Sequence, residues 1–133
     1  MKIKAESGKE LLLITENKCG KLAQIACLVA NHNIDIRAIS AYAFDERAFF
    51  RIVASDHEQA KTALSTVGKI EEKDIVIVKM PDKVGQLFQM TSRLKDFNID
   101  LNYLYGTSAA PGKPGIIVFS SDNNSKAIEV ISH

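Results

Sequence analysis

Asn17-Lys18-Cys19-Gly20-Lys21-Leu22, followed by Asn33-Ile34-Asp35-Ile36, returns as Asp82-Lys83-Val84-Gly85-Gln86-Leu87, followed by Asn98-Ile99-Asp100-Leu101. Gly20 matches Gly85, Leu22 matches Leu87, and Asn33, Ile34 and Asp35 match Asn98, Ile99 and Asp100, every pair 65 positions apart. A period this long exceeds that of short-repeat solenoids and has the size of a small domain. The chain therefore reads as a duplicated module, with copies over residues 1–72 and 73–133. Modules this small are marginal alone, so the two are expected to share an interface.

Working outward from the first stretch, Leu11-Leu12-Leu13-Ile14-Thr15 is a short apolar run that reads as a buried strand. The turn 16–20 leads into a helix, because Leu22, Ile25, Ala26 and Val29 lie on one face of a 3.6-residue period. Asn31-His32-Asn33 ends it, asparagine tolerating the left-handed stop conformation. Ile34 to Tyr42 alternates as a half-buried strand. Asp45-Glu46-Arg47 turns the chain into a strand from Phe49 to Ala54. Ser55-Asp56 caps a second helix to about Thr66, and a short strand follows near 69–71.

The second copy repeats this order: Ile75 to Val78 as strand, a helix whose face is Leu87, Met90, Leu94 and Phe97, then strands at Ile99 to Tyr105 and Ile116 to Ser120. A loop with two prolines, Gly106 to Gly115, is longer than its counterpart. Ser121-Asp122 precedes a short last helix. Each copy reads β-α-β-β-α-β, an α+β, ferredoxin-like arrangement with an antiparallel sheet covered on one face by two helices. The second copy reads as lacking its last strand. Met1 to Ala5, which has no match in the second copy, is one candidate to fill the vacancy, from the same chain or a partner. A disordered tail and a three-stranded second sheet are the alternatives.

Composition narrows the function. Seventeen basic and sixteen acidic residues leave a net charge of +1. This gives no electrostatic footprint for nucleic acid or an anionic membrane. No run approaches the roughly 20 apolar residues of a membrane span, and no signal-peptide core opens the chain. Cys19 and Cys27, if both lie on the first helix, are too far apart along it for a disulfide and read as free thiols, which fits a cytoplasmic location. His32, His57 and His133 show no metal-ligand spacing and read as surface residues.

These residues permit a resemblance. The stretches 17–22 with 33–36, and 82–87 with 98–101, resemble the ACT domain, a small-molecule regulatory module, twice over and across nearly the whole chain. The resemblance implies two βαββαβ modules and an amino acid or similar small effector bound where ACT modules meet. It implies regulation of amino-acid metabolism and a metabolic enzyme as partner, without catalytic residues, metal or cofactor in this chain. By the same resemblance Asn17 and Asn33 hold ligand polar groups, and Leu22 and Ile34 line the apolar part.

The turn chemistry agrees: amides near Lys18, Cys19 and Gly20 lie at the positive end of a helix dipole, suited to a carboxylate, and Gly20 admits close approach. In the second copy Asp82, Gly85, Leu87, Asn98 and Ile99 stand in the matching places. Asp82 cannot donate to an anion but suits an ammonium, so the first copy is the better carboxylate site. Equally, Gly20 and Gly85 read as plain helix starts, and Asn33 and Asn98 as left-handed helix stops. Tyr103 and Tyr105 share one face of a strand.

Other classes fit less well. Acylphosphatase chemistry on this fold needs a Gln-Gly-Val-x-Phe-Arg type loop that the chain lacks. An RNA-recognition domain needs strand aromatics and a basic face, of which Phe49-Phe50-Arg51 is a faint echo. A regulatory subunit that binds a partner enzyme without its own ligand is the remaining alternative. Exposed sheet edges point to a homodimer.

Overall fold

The computed structural model describes residues 3–81, 83–107 and 113–132. The described elements are β1 (Lys4–Glu16), α1 (Lys21–Asn31), β2 (Ile36–Phe44), β3 (Arg47–Ala54), α2 (His57–Leu64), β4 (Lys69–Met80), α3 (Gln86–Asp96), β5 (Leu101–Thr107), β6 (Gly115–Ser121) and α4 (Asn124–Ile131). They divide into two compact units. One spans Lys9–Lys73; the other joins Met1–Gly8 to Asp74–His133. Lys73 thus closes the first-copy unit, and residues 1–8 go with the second copy.

That division explains two strands longer than their apolar runs. β1 was expected over 11–15 and runs from Lys4. β4 joins what the sequence presented as separate strands near 69–71 and 75–78. In the first-copy unit the order is β2-β3-β1-β4, using residues 9–16 and 69–73; in the second-copy unit it is β1-β4-β6-β5, using residues 4–8 and 74–80. A Cβ at Gly8 would meet Ile77, and one at Gly68 would meet Ile14 and Thr15, so β1 and β4 run antiparallel in both units. The fourth-strand place beside β4 in the second copy is thus filled from the same chain. Ile3 and Ala5 pack on that unit's core. Residues 1 and 2 of the proposed strand lie outside the described residues.

In the first-copy unit, β1 and β3 pair antiparallel with Leu11 opposite Ile52 and Leu13 opposite Phe50. These side chains face α1 and α2 and, with Ile25, Val29, Ile34, Ala60 and Leu64, make the core. Asp56 starts α2 by accepting the Gln59 amide at 3.0 Å, satisfying an amide the helix leaves unpaired. The opposite face carries a pairing that no periodicity announced. Glu10 is fully buried, and its Oε1 accepts from Arg51 Nη1 at 2.9 Å. Arg51 Nε also donates to the Tyr42 hydroxyl at 3.3 Å.

In the second-copy unit, Val76, Val78, Met80 and Phe119 face Met90, Leu94, Val130 and Ile131. α4 is capped by Asn123, one residue beyond the expected Ser121-Asp122, its side chain accepting the Lys126 amide at 3.1 Å. The helical faces are narrower than their sequence periods. Leu22 and Leu87, the second residues of α1 and α3, are each 48% exposed, and Phe97, the C-cap of α3, is 54% exposed.

Candidate ligand-binding site

Both modules begin their first helix in one way. Gly20 and Gly85 are the N-cap residues of α1 and α3, with φ near 90° and 91°, and neither helix receives a side-chain cap. A Cβ on either glycine would meet nothing within 4 Å. The glycines therefore serve the left-handed backbone rather than room for a neighbouring group, a conformation costly for residues with a Cβ. The first amide of each helix is already used, Lys21 donating to the Lys18 carbonyl at 3.4 Å and Gln86 to the Lys83 carbonyl at 3.3 Å, so an anion would meet the amides that follow, those of Leu22 and Leu87.

The turn ahead of α1 is largely spoken for. The Asn17 amide donates to the Glu46 carbonyl and the Lys18 amide to the Glu16 carbonyl, both at 3.0 Å. Lys18 Nζ lies 2.9 Å from Glu16 Oε2. The hydrogen bond, reinforced by the charge, holds the Glu16 carboxyl below its usual range and raises the Lys18 ammonium. Asn17, Lys18, Cys19 and Gly20 are all exposed. Cys19 lies in the turn rather than on α1, and both cysteines are free and exposed.

Asn33 and Asn98 stand at the other ends of the same helices. α1 spans Lys21–Asn31, a rise of roughly 16 Å at 1.5 Å per residue. One copy therefore cannot bring Asn17 and Asn33 onto one small molecule. Both asparagines have φ 55°, as left-handed helix stops do. Ile34 and Ile99 then drop into the cores, 6% and 8% exposed. The aspartates that follow are stitched to the sheet: the Asp35 amide donates to Ser55 Oγ at 2.9 Å, and the Asp100 amide to Asp122 Oδ1 at 3.2 Å. The Asn-Ile-Asp corner is accounted for by the fold. Asp82 lies outside the described residues.

Gly85 and Leu87 do come together around a cavity. It measures about 220 Å3 and is lined by Met80, Pro81, Lys83, Gly85, Gln86, Leu87, Thr107, Gly115 and Ile117. The repeat favours the first copy and points to none of Met80, Pro81, Thr107, Gly115 and Ile117 as lining residues. The available signal was the lengthened glycine- and proline-bearing loop between β5 and β6, which flanks the pocket at Thr107 and Gly115. In the first-copy unit a wider, open depression of about 730 Å3 is lined by Ile14, Thr15 and Val67 together with the charged Glu16, Lys21, Glu46, Arg47 and Lys69.

One further cluster escaped the sequence. His57 is partly buried rather than a surface residue. Its Nε2 is 2.9 Å from Glu72 Oε1, and Lys61 Nζ is 3.3 Å from the same oxygen. These two hydrogen bonds, His57 first, hold the Glu72 carboxyl below its usual range. Ligating atoms of His57, Glu58 and Glu72 lie within 4.8 Å of one another, but the Lys61 ammonium already answers the charge. Tyr103 and Tyr105 do share a face, with ring centroids 6.4 Å apart. Among the described residues, no helix is long and apolar enough to cross a membrane.

Two α+β modules with this strand order, each opening its first helix on a glycine, define a paired ferredoxin-like architecture. The chain belongs to the ACT domain pair family, whose model matches residues 7–133. No curated protein matches the sequence. Among solved structures, a Bacteroides thetaiotaomicron protein is 26% identical with a TM-score of 0.85, over 95% of this chain and 87% of that one. The ligand-free regulatory subunit of Thermus thermophilus aspartate kinase is similar in fold at 11% identity, TM-score 0.70, over 98% of this chain and 95% of that one. Escherichia coli aspartokinase III in complex with aspartate and ADP is similar at 15% identity and TM-score 0.60, over 98% of this chain and 31% of the enzyme.

Proposed function

We infer that this protein is a non-enzymatic regulatory sensor that binds a free amino acid and adjusts an enzyme of amino-acid metabolism. The observation that carries this reading is the cavity at the start of α3. There an uncapped helix N-terminus and Lys83 stand beside an apolar wall. That combination suits a small zwitterion with a carboxylate at one end. Likeness in fold to structures described as regulatory subunits of aspartate kinase adds support. Gly85 and Leu87 are the site residues this reading keeps in the second copy, with Asp82 for the ammonium. In the first copy, Asn17, Lys18, Cys19, Gly20 and Leu22 frame the matching turn. Asn33, Ile34, Asn98 and Ile99 act on the ligand only through the shape of their corners.

The protein acts as a homodimer in this reading. β2 and β5 are edge strands, and beside them both copies expose the same apolar pair, Leu22 with Ile39 and Leu87 with Leu104. Such edges favour pairing with another chain. The exposed thiols fit a cytoplasmic setting. A thermal-shift screen over the twenty amino acids tests the sensor. A ligand at 100 times its Kd adds about 2.7 kcal/mol of stability, so a clear rise in Tm with at least one amino acid is expected. No shift with any of them refutes ligand sensing.

The alternative, a subunit that binds its enzyme without a ligand, draws on one observation. Val84 is fully exposed and Phe88 74% exposed on the start of α3. Retention of a partner enzyme with no amino-acid response favours it.

A further inference from the structure

The same place in the two copies is built from different residues, and the difference is chemical. Equivalence follows from the ladders. Ile117 pairs with Val78 and Gly115 with Met80, while Phe50 pairs with Leu13 and Ala48 with Thr15. The repeat carries Leu13 onto Val78 and Thr15 onto Met80. Phe50 is therefore the counterpart of Ile117, and Ala48 of Gly115. Met80 and Pro81 likewise stand where the first copy has Thr15 and Glu16, and Gln86 where it has Lys21.

Each exchange moves the second copy toward an apolar hollow. Smaller side chains on β6 open it: isoleucine for a phenylalanine that is only 5% exposed, and glycine for an alanine that is 7% exposed. At the end of the first strand, methionine and proline replace a threonine and a glutamate that is itself paired to Lys18. The resulting cavity is lined by Lys83 and the first turn of α3 together with Met80, Pro81, Leu87 and Ile117. At about 220 Å3 it lies below the roughly 300–1,000 Å3 of drug-sized sites, so it admits a single small metabolite and excludes a nucleotide.

We propose that the second-copy pocket selects an amino acid with an aliphatic side chain. The α-carboxylate lies against the Leu87 amide and Lys83, and the hydrocarbon side chain against Met80, Pro81, Leu87 and Ile117. This rests on the amino-acid reading above and goes further in naming the copy and the ligand class. Against Met80, Pro81, Leu87 and Ile117 a polar or charged side chain would lose water and gain no side-chain hydrogen bond from those four residues, which costs binding. One buried methylene more or less changes affinity by 10–200-fold in such pockets.

Titration calorimetry of the full chain with leucine, valine, alanine, aspartate and lysine tests this. The expected result is binding of leucine or valine at least tenfold tighter than aspartate, lysine or alanine. Ile117→Phe, which writes the first-copy residue into the pocket, weakens that binding at least tenfold. Because Ile117→Phe also touches the core, Lys83→Gln serves as the second variant. It changes an exposed side chain and is expected to weaken leucine several-fold. Tightest binding of aspartate or lysine overturns the proposal while leaving an amino-acid sensor standing. Leucine binding untouched by both variants also overturns it, by moving the site elsewhere. No binding of any of the twenty amino acids removes the sensor reading itself.

Discussion

Replacing Gly20 and Gly85 by alanine isolates one physical term, because a Cβ at either position meets no atom within 4 Å. Packing contributes nothing, and the cost is the backbone alone. Holding a residue with a Cβ in the left-handed region costs roughly 1–2 kcal/mol. Alanine also stiffens the unfolded chain, which returns about 0.4–1 kcal/mol. The net expectation is a loss of about 1 kcal/mol per site. The sites sit in separate units, so the double variant is expected to lose about 2 kcal/mol by additivity. Asparagine, which enters this region more readily, is expected to recover a large part of each loss.

Urea denaturation followed by far-ultraviolet circular dichroism measures this, with linear extrapolation to water. The chain has no tryptophan to report otherwise. Alanine variants as stable as the parent refute the reasoning. So do asparagine variants as unstable as alanine, which would mean that the side chain and not the backbone angle is at fault.

Removing residues 1–7 is expected to expose the edge of β4 in the second-copy unit and uncover the core beneath Ile3 and Ala5. Hydrogen exchange should rise at least tenfold in the amides of Ile75–Val78, well above any change in Leu11–Leu13; equal changes in both segments would refute the assignment of this segment to the second copy. Acid should weaken the protein. Hydrogen bonds from Lys18, from Lys73 and from His57 lower the carboxyls of Glu16, Glu71 and Glu72 below the usual 4.5. A lowered carboxyl stabilises above its unfolded value, and that contribution is lost as pH falls through the folded one. Urea midpoints at pH 7 and 3.5 should therefore differ less in a Glu16→Gln, Glu71→Gln, Glu72→Gln variant than in the parent. Lys18, raised by the same pair, works in the opposite sense and gives up its contribution only above 10.5.

The sequence by itself determined the module. The 65-residue repeat, the glycine before each first helix and the Asn-Ile-Asp corner after it are local signals, set by backbone angles and apolar periodicity within a few turns. Those signals placed eleven elements in the observed order, two of which, near 69–71 and 75–78, are one strand, β4. The corner carries the helix stop that the sequence also offers: Asn33 and Asn98 have positive φ, and the isoleucines that follow are buried.

Tertiary structure alone decided three things. Residues 4–8 close the second sheet, a pairing between segments some seventy positions apart that no local pattern encodes. Glu10 is buried against Arg51 because strand register, not composition, sets Arg51 opposite Leu12 and so within diagonal reach of Glu10. The pocket gathers Met80, Leu87, Thr107 and Ile117 from four elements or their ends. Its shape depends on side-chain volumes opposed across a ladder, which a linear chain specifies but does not display.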